Sequence, residues 1–124
     1  MHFFFPKVQR VLRSGDFTRV LRKGTCVADG TLVLYALPAE ELATRPNTDA
    51  SRLGVTIPKK TGNAVVRNRW KRLIRESFRT QLDQVPTGFD FIVRPKKGAE
   101  PVWAEIQKSI PRLTQKAARQ ARRK

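Results

Sequence analysis

The chain has 124 residues, the length of one ordinary domain, which excludes a multidomain machine. Its 26 lysines and arginines face only 10 acids, a formal charge of +16 that goes far beyond what solubility needs, so polyanions are the partners to expect. Hydrophobic residues make up 40% and phenylalanine occurs seven times, enough for a core and against wholesale disorder.

The opening Met1-His2-Phe3-Phe4-Phe5-Pro6 is too short, and too soon interrupted by Lys7, Arg10 and Arg13, to act as a secretory signal. No apolar run approaches the ~18 residues of a membrane span, so a cytoplasmic protein is expected. Ser14-Gly15-Asp16 precedes Phe17, Val20 and Leu21, an i, i+3, i+4 stripe that stops at Gly24, which predicts a short helix over residues 15–23. Cys26, the single cysteine, excludes an internal disulfide, and no Cys/His cluster offers a zinc site. Val27 begins a strand that turns at Asp29-Gly30 into the apolar run from Thr31 to Leu37. Residues 38–51 read as a polar loop with Pro38, Pro46, Asn47 and Asp49 as turn formers. Leu53, Val55 and Ile57 then alternate with Arg52, Gly54 and Thr56, a strand with one buried face that Pro58 ends.

Asn63 is placed to cap a helix whose apolar positions are Val66, Trp70, Leu73, Ile74 and Phe78, ending near Leu82 before Pro86 and Gly88. Phe89 to Val93 is a buried strand closed by Pro95. Trp103, Ile106, Ile110 and Leu113 share a helical face, and Pro111 among them predicts a kink or a restart. Residues 114–124, with Lys116, Arg119, Arg122, Arg123 and Lys124 and no acid, read as a frayed basic tail behind a single domain at 1–113. The fold class is α+β, a two-layer sandwich of helices on a small, mostly antiparallel sheet. A helix lying between two strands can be a crossover, for which a right-handed turn is the default.

Chemistry concentrates between Lys59 and Arg79, where Lys59, Lys60, Arg67, Arg69, Lys71, Arg72, Arg75 and Arg79 meet the single acid Glu76. At about 100° per residue, with Arg67 at zero, Lys71, Arg75, Arg79 and Arg72 span roughly 40° to 140°. Asn68 sits in the middle of that arc, and Trp70, Leu73, Ile74 and Phe78 occupy the opposite side. An ordinary solvated face mixes signs, because like charges at i, i+4 repel; a bound polyanion would relieve the repulsion, and arginine forks suit phosphate. Single-stranded RNA is also gripped by stacking. Val33 and Tyr35 share a strand face and could line a groove with Phe17 and Leu21, although from the residues alone the latter two read as core. Trp70 and Trp103 read as core as well.

A catalytic site is hard to assemble. His2 is the only histidine, Cys26 has no evident base, and Asp16, Asp29, Glu40, Glu41, Asp49, Glu76, Asp83, Asp90, Glu100 and Glu105 form no two-metal pattern. Any reactive groups must come from another molecule.

The stretch from Lys59 to Arg75, KKTGNAVVRNRWKRLIR, closely resembles the signature of the bacterial ribonuclease P protein subunit, above all in Arg67-Asn68-Arg69 followed by Lys71-Arg72 and Arg75. Asp16-Phe17, Gly24-Thr25, Val33-Leu34-Tyr35, Leu53-Gly54-Val55 and Asp90-Phe91-Ile92-Val93 occur in that family's order. The resemblance implies an α-β-β-β-α-β-α fold with a left-handed βαβ crossover, of the type shared with some ribosomal proteins. It implies a partner RNA subunit that does the chemistry with Mg²⁺, removal of the 5′ leader from precursor tRNA, and a monomeric protein, one per RNA. Carried over by position, Lys59, Lys60, Asn63, Arg67, Asn68, Arg69, Lys71, Arg72 and Arg75 would face the RNA subunit. Phe17, Leu21, Val33 and Tyr35 would line a cleft for the leader, with Leu21 standing where the family often carries an aromatic. Two other classes share the charge: a structural RNA-binding protein of the ribosomal type, and a DNA-binding protein, which would need a turn-helix partner or dimer seam that the sequence does not offer.

Overall fold

The computed structural model describes residues 14–39 and 51–123. The opening segment with His2, and residues 40–50 of the expected loop with Pro46, Asn47 and Asp49, lie outside the described residues. In chain order the elements are α1 (Ser14–Lys23), β1 (Thr25–Ala28), β2 (Leu32–Pro38), β3 (Arg52–Val55), α2 (Ala64–Thr80), β4 (Phe89–Pro95) and α3 (Trp103–Arg122). Single 3₁₀ turns at Lys59–Thr61 and Leu82–Gln84 flank α2. The sheet runs β1-β2-β4-β3, antiparallel except for the parallel pair β3/β4, so α2 is the crossover between two neighbouring parallel strands. This is the expected α+β order.

Local chemistry accounts for the joints. Gly24 stops α1 as its N–H donates to the Val20 carbonyl at 2.8 Å; a side chain there would collide with the carbonyls of Val20 and Ala36, so close approach is what demands glycine. At the β1/β2 turn the Asp29 carboxylate accepts the N–H groups of Thr31 and Leu32 at 2.8 and 2.9 Å. It also accepts from Ser109 Oγ and Arg112 Nη2 of α3, both at 2.6 Å, which fastens the hairpin to that helix. Burial alone would raise the Asp29 pKa, but these four donors outweigh it and bring it down to about 2.

The two faces of the sheet are covered unequally. Leu34, Ala36, Leu53, Phe91 and Val93 point into the larger core, where α2 contributes Trp70, Ile74 and Phe78 and α3 contributes Ile106, Ile110, Leu113 and Ala117. On the other face, among the described residues, α1 packs, placing Val20 against Leu37 and Ile92. This arrangement corrects one expectation. Leu53 and Val55 do face the core, with Ile57 packed on it beyond the strand's end, but Arg52 is buried instead of solvated, because α1 roofs its end of the outer face.

A second correction concerns α3, which runs unbroken from Trp103 to Arg122 through Pro111. Proline at 111 removes the N–H that would bond the carbonyl of Gln107. That carbonyl instead accepts from Gln81 Nε2 at 3.1 Å, a donor held in place by its bonds to the carbonyl and hydroxyl of Ser77. Residues 114–122 are consequently helix, not a frayed tail, and bury Thr114, Ala117 and Ala118.

The substitution Gln81→Ala should therefore cost about 1–3 kcal/mol in denaturant unfolding, the range for stranding a buried polar group. In a Pro111→Ala background, where an N–H at 111 again serves the Gln107 carbonyl, the cost should be clearly smaller. Equal costs in the two backgrounds would refute this account of the unbroken helix.

Candidate nucleic-acid interface

The basic helix is set up by its first turn. Asn63 caps α2, its Oδ1 accepting the Val66 N–H at 3.0 Å, so at least this oxygen is engaged in the helix itself. Once Trp70, Ile74 and Phe78 are locked into the core, the opposite arc must face out. Asn68, Arg72 and Arg75 are exposed there, with Arg67 and Lys71 half-buried beside them. Arg79 pairs with Glu76, the one acid of the helix. Arg67, Lys71, Arg72 and Arg75 have no acidic partner among the described residues. Arg69 stands apart from the arc and donates from Nε to the Pro101 carbonyl at 3.3 Å, at the flank toward α3. Lys59 and Lys60 are exposed on the 3₁₀ turn just ahead of the helix. Two donors, Arg67 Nε and Trp70 Nε1, are buried without an acceptor.

The second surface is the part of the outer sheet face that α1 leaves open. Phe17 and Tyr35 come together there, both packed on Val20, Leu37 and Ile92. Val33, 7% exposed, lies on the same strand face as Tyr35, and Leu21 stands on α1 at 39% exposure, outside that cluster. The strand register shows what the sequence reading missed. Cys26 lies opposite Tyr35, and Ala28 and Arg94 lie opposite Val33, so all three belong to this face. Arg94 Nη2 reaches Tyr35 Oη at 3.5 Å. Period-two alternation continued from Ile92 would have found Arg94.

Also unforeseen is the group that seats α1. Arg52 donates to Asp90 from Nε at 2.9 Å and from Nη2 at 2.6 Å, and from Nη2 to Asp16 at 3.2 Å. The hydrogen bonds that Arg52 donates to Asp90 raise the Arg52 pKa against the opposing effect of burial. Asp16, read as one of several scattered acids, adjoins Phe17, so this cluster helps to place the Phe17 ring on the sheet.

Comparison with known proteins decides the family. A family model described as Ribonuclease P matches residues 5–118. The chain belongs to the ribonuclease P protein family. It is 39% identical over 105 residues to the ribonuclease P protein component of Bacillus cereus (strain Q1), covering 84% of this chain and 86% of that one. Identity to the component of Clostridium novyi (strain NT) is 35% over 112 residues, 90% and 95% of the two chains. Among solved structures, the RNase P protein of Staphylococcus aureus superposes with a TM-score of 0.70 at 34% identity, covering 88% of this chain and 94% of that one. That of Thermotoga maritima gives 0.72 at 25% identity, with 87% and 96% covered.

As a ribonuclease P protein, the chain serves a ribonucleoprotein endoribonuclease that removes the 5′ leader in tRNA maturation, with an RNA subunit as its partner. Among the described residues no helix is long and apolar enough to cross a membrane. The Mg²⁺ that the family implies does not fit this chain's acids. Asp16 and Asp90 are committed to Arg52, Asp29 to Arg112 and Glu76 to Arg79, and no group of three potential ligands occurs among the described residues.

Because Arg52→Ala would leave Asp90 buried without its partner, it should destabilise the protein by about 3–5 kcal/mol in chemical unfolding. Asp16→Asn keeps the Arg52–Asp90 bond and should cost much less. If the two variants lose similar stability, the cluster is not centred on Arg52 and Asp90.

Proposed function

We propose that this ribonuclease P protein holds two RNA elements on two different surfaces. The face of α2, comprising Arg67, Asn68, Arg69, Lys71, Arg72 and Arg75 with Lys59, Lys60 and Asn63 ahead of them, binds the RNA subunit. The open sheet face with Phe17, Leu21, Val33 and Tyr35 takes the single-stranded leader of precursor tRNA. One observation carries this reading. An arc of guanidinium groups without acidic partners among the described residues and a pair of partly exposed aromatic rings, Phe17 and Tyr35, lie on opposite sides of one sheet, α2 packing on one face and α1 on the other. Forks and ammonium groups suit the phosphates of a folded RNA, whereas a ring beside aliphatic surface suits unpaired bases. Protein and RNA subunit associate one to one in the cytoplasm, and Mg²⁺ acts through the RNA subunit, a reading supported by the engagement of Asp16, Asp29, Glu76 and Asp90 with arginines.

The α2 assignment predicts a change in salt dependence, because each phosphate contact releases condensed counterions. Arg72→Ala should weaken RNA-subunit binding and lower the slope of log affinity against log salt by about 0.7–0.9. An unchanged slope would show that the arc is merely solvated.

The cleft assignment predicts a different failure. Stacking on one ring contributes roughly 1–3 kcal/mol, so Tyr35→Ala should weaken precursor tRNA binding to the holoenzyme about fivefold or more. Tyr35→Phe, which keeps the ring, should bind nearly as the unaltered protein does. Mature tRNA, which has no leader, should be bound equally by all three, and assembly with the RNA subunit should be unaffected. Equal losses for precursor and mature tRNA would remove the leader from this face.

A further inference from the structure

The basic residues after Pro111 are absorbed neither by the α2 arc nor by the cleft. They do not trail from the domain. The burial of Thr114, Ala117 and Ala118 holds the last turns of α3 on the body of the protein, and the side chain of Gln115 donates to the Gln84 carbonyl at 2.8 Å. Between these turns and the segment leading into β4 lies a groove of about 680 Å³. Pro86, Phe89 and Ala118 contribute apolar wall, and Arg119, Arg122 and Arg123 stand along it. The Arg122 guanidinium sits over the Phe89 ring, 4.8 Å from its centroid, so one fork is stacked in place. Arg119 and Arg123 are exposed and have no acidic partner among the described residues. A helix C-terminus favours a cation. Three guanidinium groups at i, i+3 and i+4 nonetheless repel one another, and their placement along an apolar wall is more than a helix end requires.

The position of the groove indicates the occupant. Arg69 meets Pro101, Gln81 meets Gln107 and Gln84 meets Gln115, so α2 and α3 advance in the same sense on the same side of the sheet. The groove thus lies beyond the C-terminal end of α2, on the same side of the sheet as that helix and opposite the face on which α1 packs. We propose that it is a second contact for the RNA subunit. Arg119 and Arg123 hold backbone phosphates, and the ribose or base between them rests on Pro86 and Ala118. This inference builds on the reading that α2 binds the RNA subunit.

The test uses the full chain with Arg119→Ala and Arg123→Ala combined, leaving the stacked Arg122 intact. A charge-matched control removes the exposed Lys96 and Lys97 in the same way, and Arg72→Ala is measured alongside. Affinity for ribonuclease P RNA is determined across a salt series, and precursor against mature tRNA binding is determined on the assembled holoenzyme. The groove variant should melt like the unaltered protein, bind the RNA subunit about tenfold more weakly, and show a slope shallower by roughly 1.4–1.8 for two contacts. The control should lose less than half as much, and preference for the leader should be unchanged in both. A groove variant that behaves like its control overturns the proposal, as does one that loses leader preference while keeping RNA-subunit affinity. If Arg72→Ala is silent while the groove variant shows the expected loss, the α2 reading fails and the groove stands. If Arg72→Ala weakens binding and the groove variant matches its control, the groove fails and the α2 reading stands.

Discussion

A buried ion cluster decides where the open surface of this protein lies. Arg52 on β3 bridges Asp90 on β4 and Asp16 on α1, three elements distant in sequence, beneath the one helix that packs on the outer sheet face among the described residues. Asp16 lies in the first turn of α1, where the helix dipole stabilises an anion. A buried ion group of this kind need not add stability over an apolar replacement. What it adds is direction: the bidentate bonds to Asp90 at 2.6 and 2.9 Å hold the Arg52 fork in one orientation on the sheet, and from there Nη2 reaches Asp16 of α1 at 3.2 Å, a directional contact that apolar packing alone would not give a ten-residue helix. With α1 held over Arg52, Asp90 and Leu37, the other end of the same face runs from Tyr35 to Val33 and Arg94, where Tyr35 and Arg94 stay partly exposed.

Packing on the inner face does the equivalent work for the basic surface. Phe91 lies 6.3 Å from Phe78, edge to face, and 5.7 Å from Phe89, stacked, so the rotation of α2 is set by aromatic geometry as well as by area. Turning the helix by one position would bury arginine and expose Trp70, which is why Arg72 and Arg75 point outward. Asn63 begins the helix at the one place that keeps this rotation from the first turn onward.

Much of this was legible in the residues, and the exceptions share a cause. α2 could be read because cap, apolar period and charge arc all lie within one segment, and the Arg67-Asn68-Arg69 signature lies in it too. Phe17 and Tyr35 both pack on Val20, Leu37 and Ile92, a neighbourhood that strand alternation and the α1 stripe together make legible. Arg52 was misread because alternation assigns a strand's polar positions to solvent, and nothing near residue 52 announces that a helix from residues 14–23 will cover it. Pro111 was misread in the same way, since the donor that repairs the helix is Gln81, 26 positions away in sequence. The basic end of α3 looked like a tail because its anchors, Ala117 and Ala118, are small and carry little hydrophobic signal. In each case local pattern was overruled by a partner from elsewhere in the chain.

The acids complete the electrostatic design. Asp16 and Asp90 are engaged with Arg52, Asp29 with Arg112 and Glu76 with Arg79, each pair joining or stiffening parts of the fold. With its pKa near 2, Asp29 stays ionised throughout the neutral range, so its bond to α3 does not loosen there. Acids used in this way cannot offset the cations on α2 or at the end of α3, and the surplus of +16 is expressed on the surfaces that face solvent. Positive charge placed there serves a protein whose partner is an RNA subunit, because arginines without acidic partners keep their full attraction for phosphate while the paired ones hold the scaffold rigid.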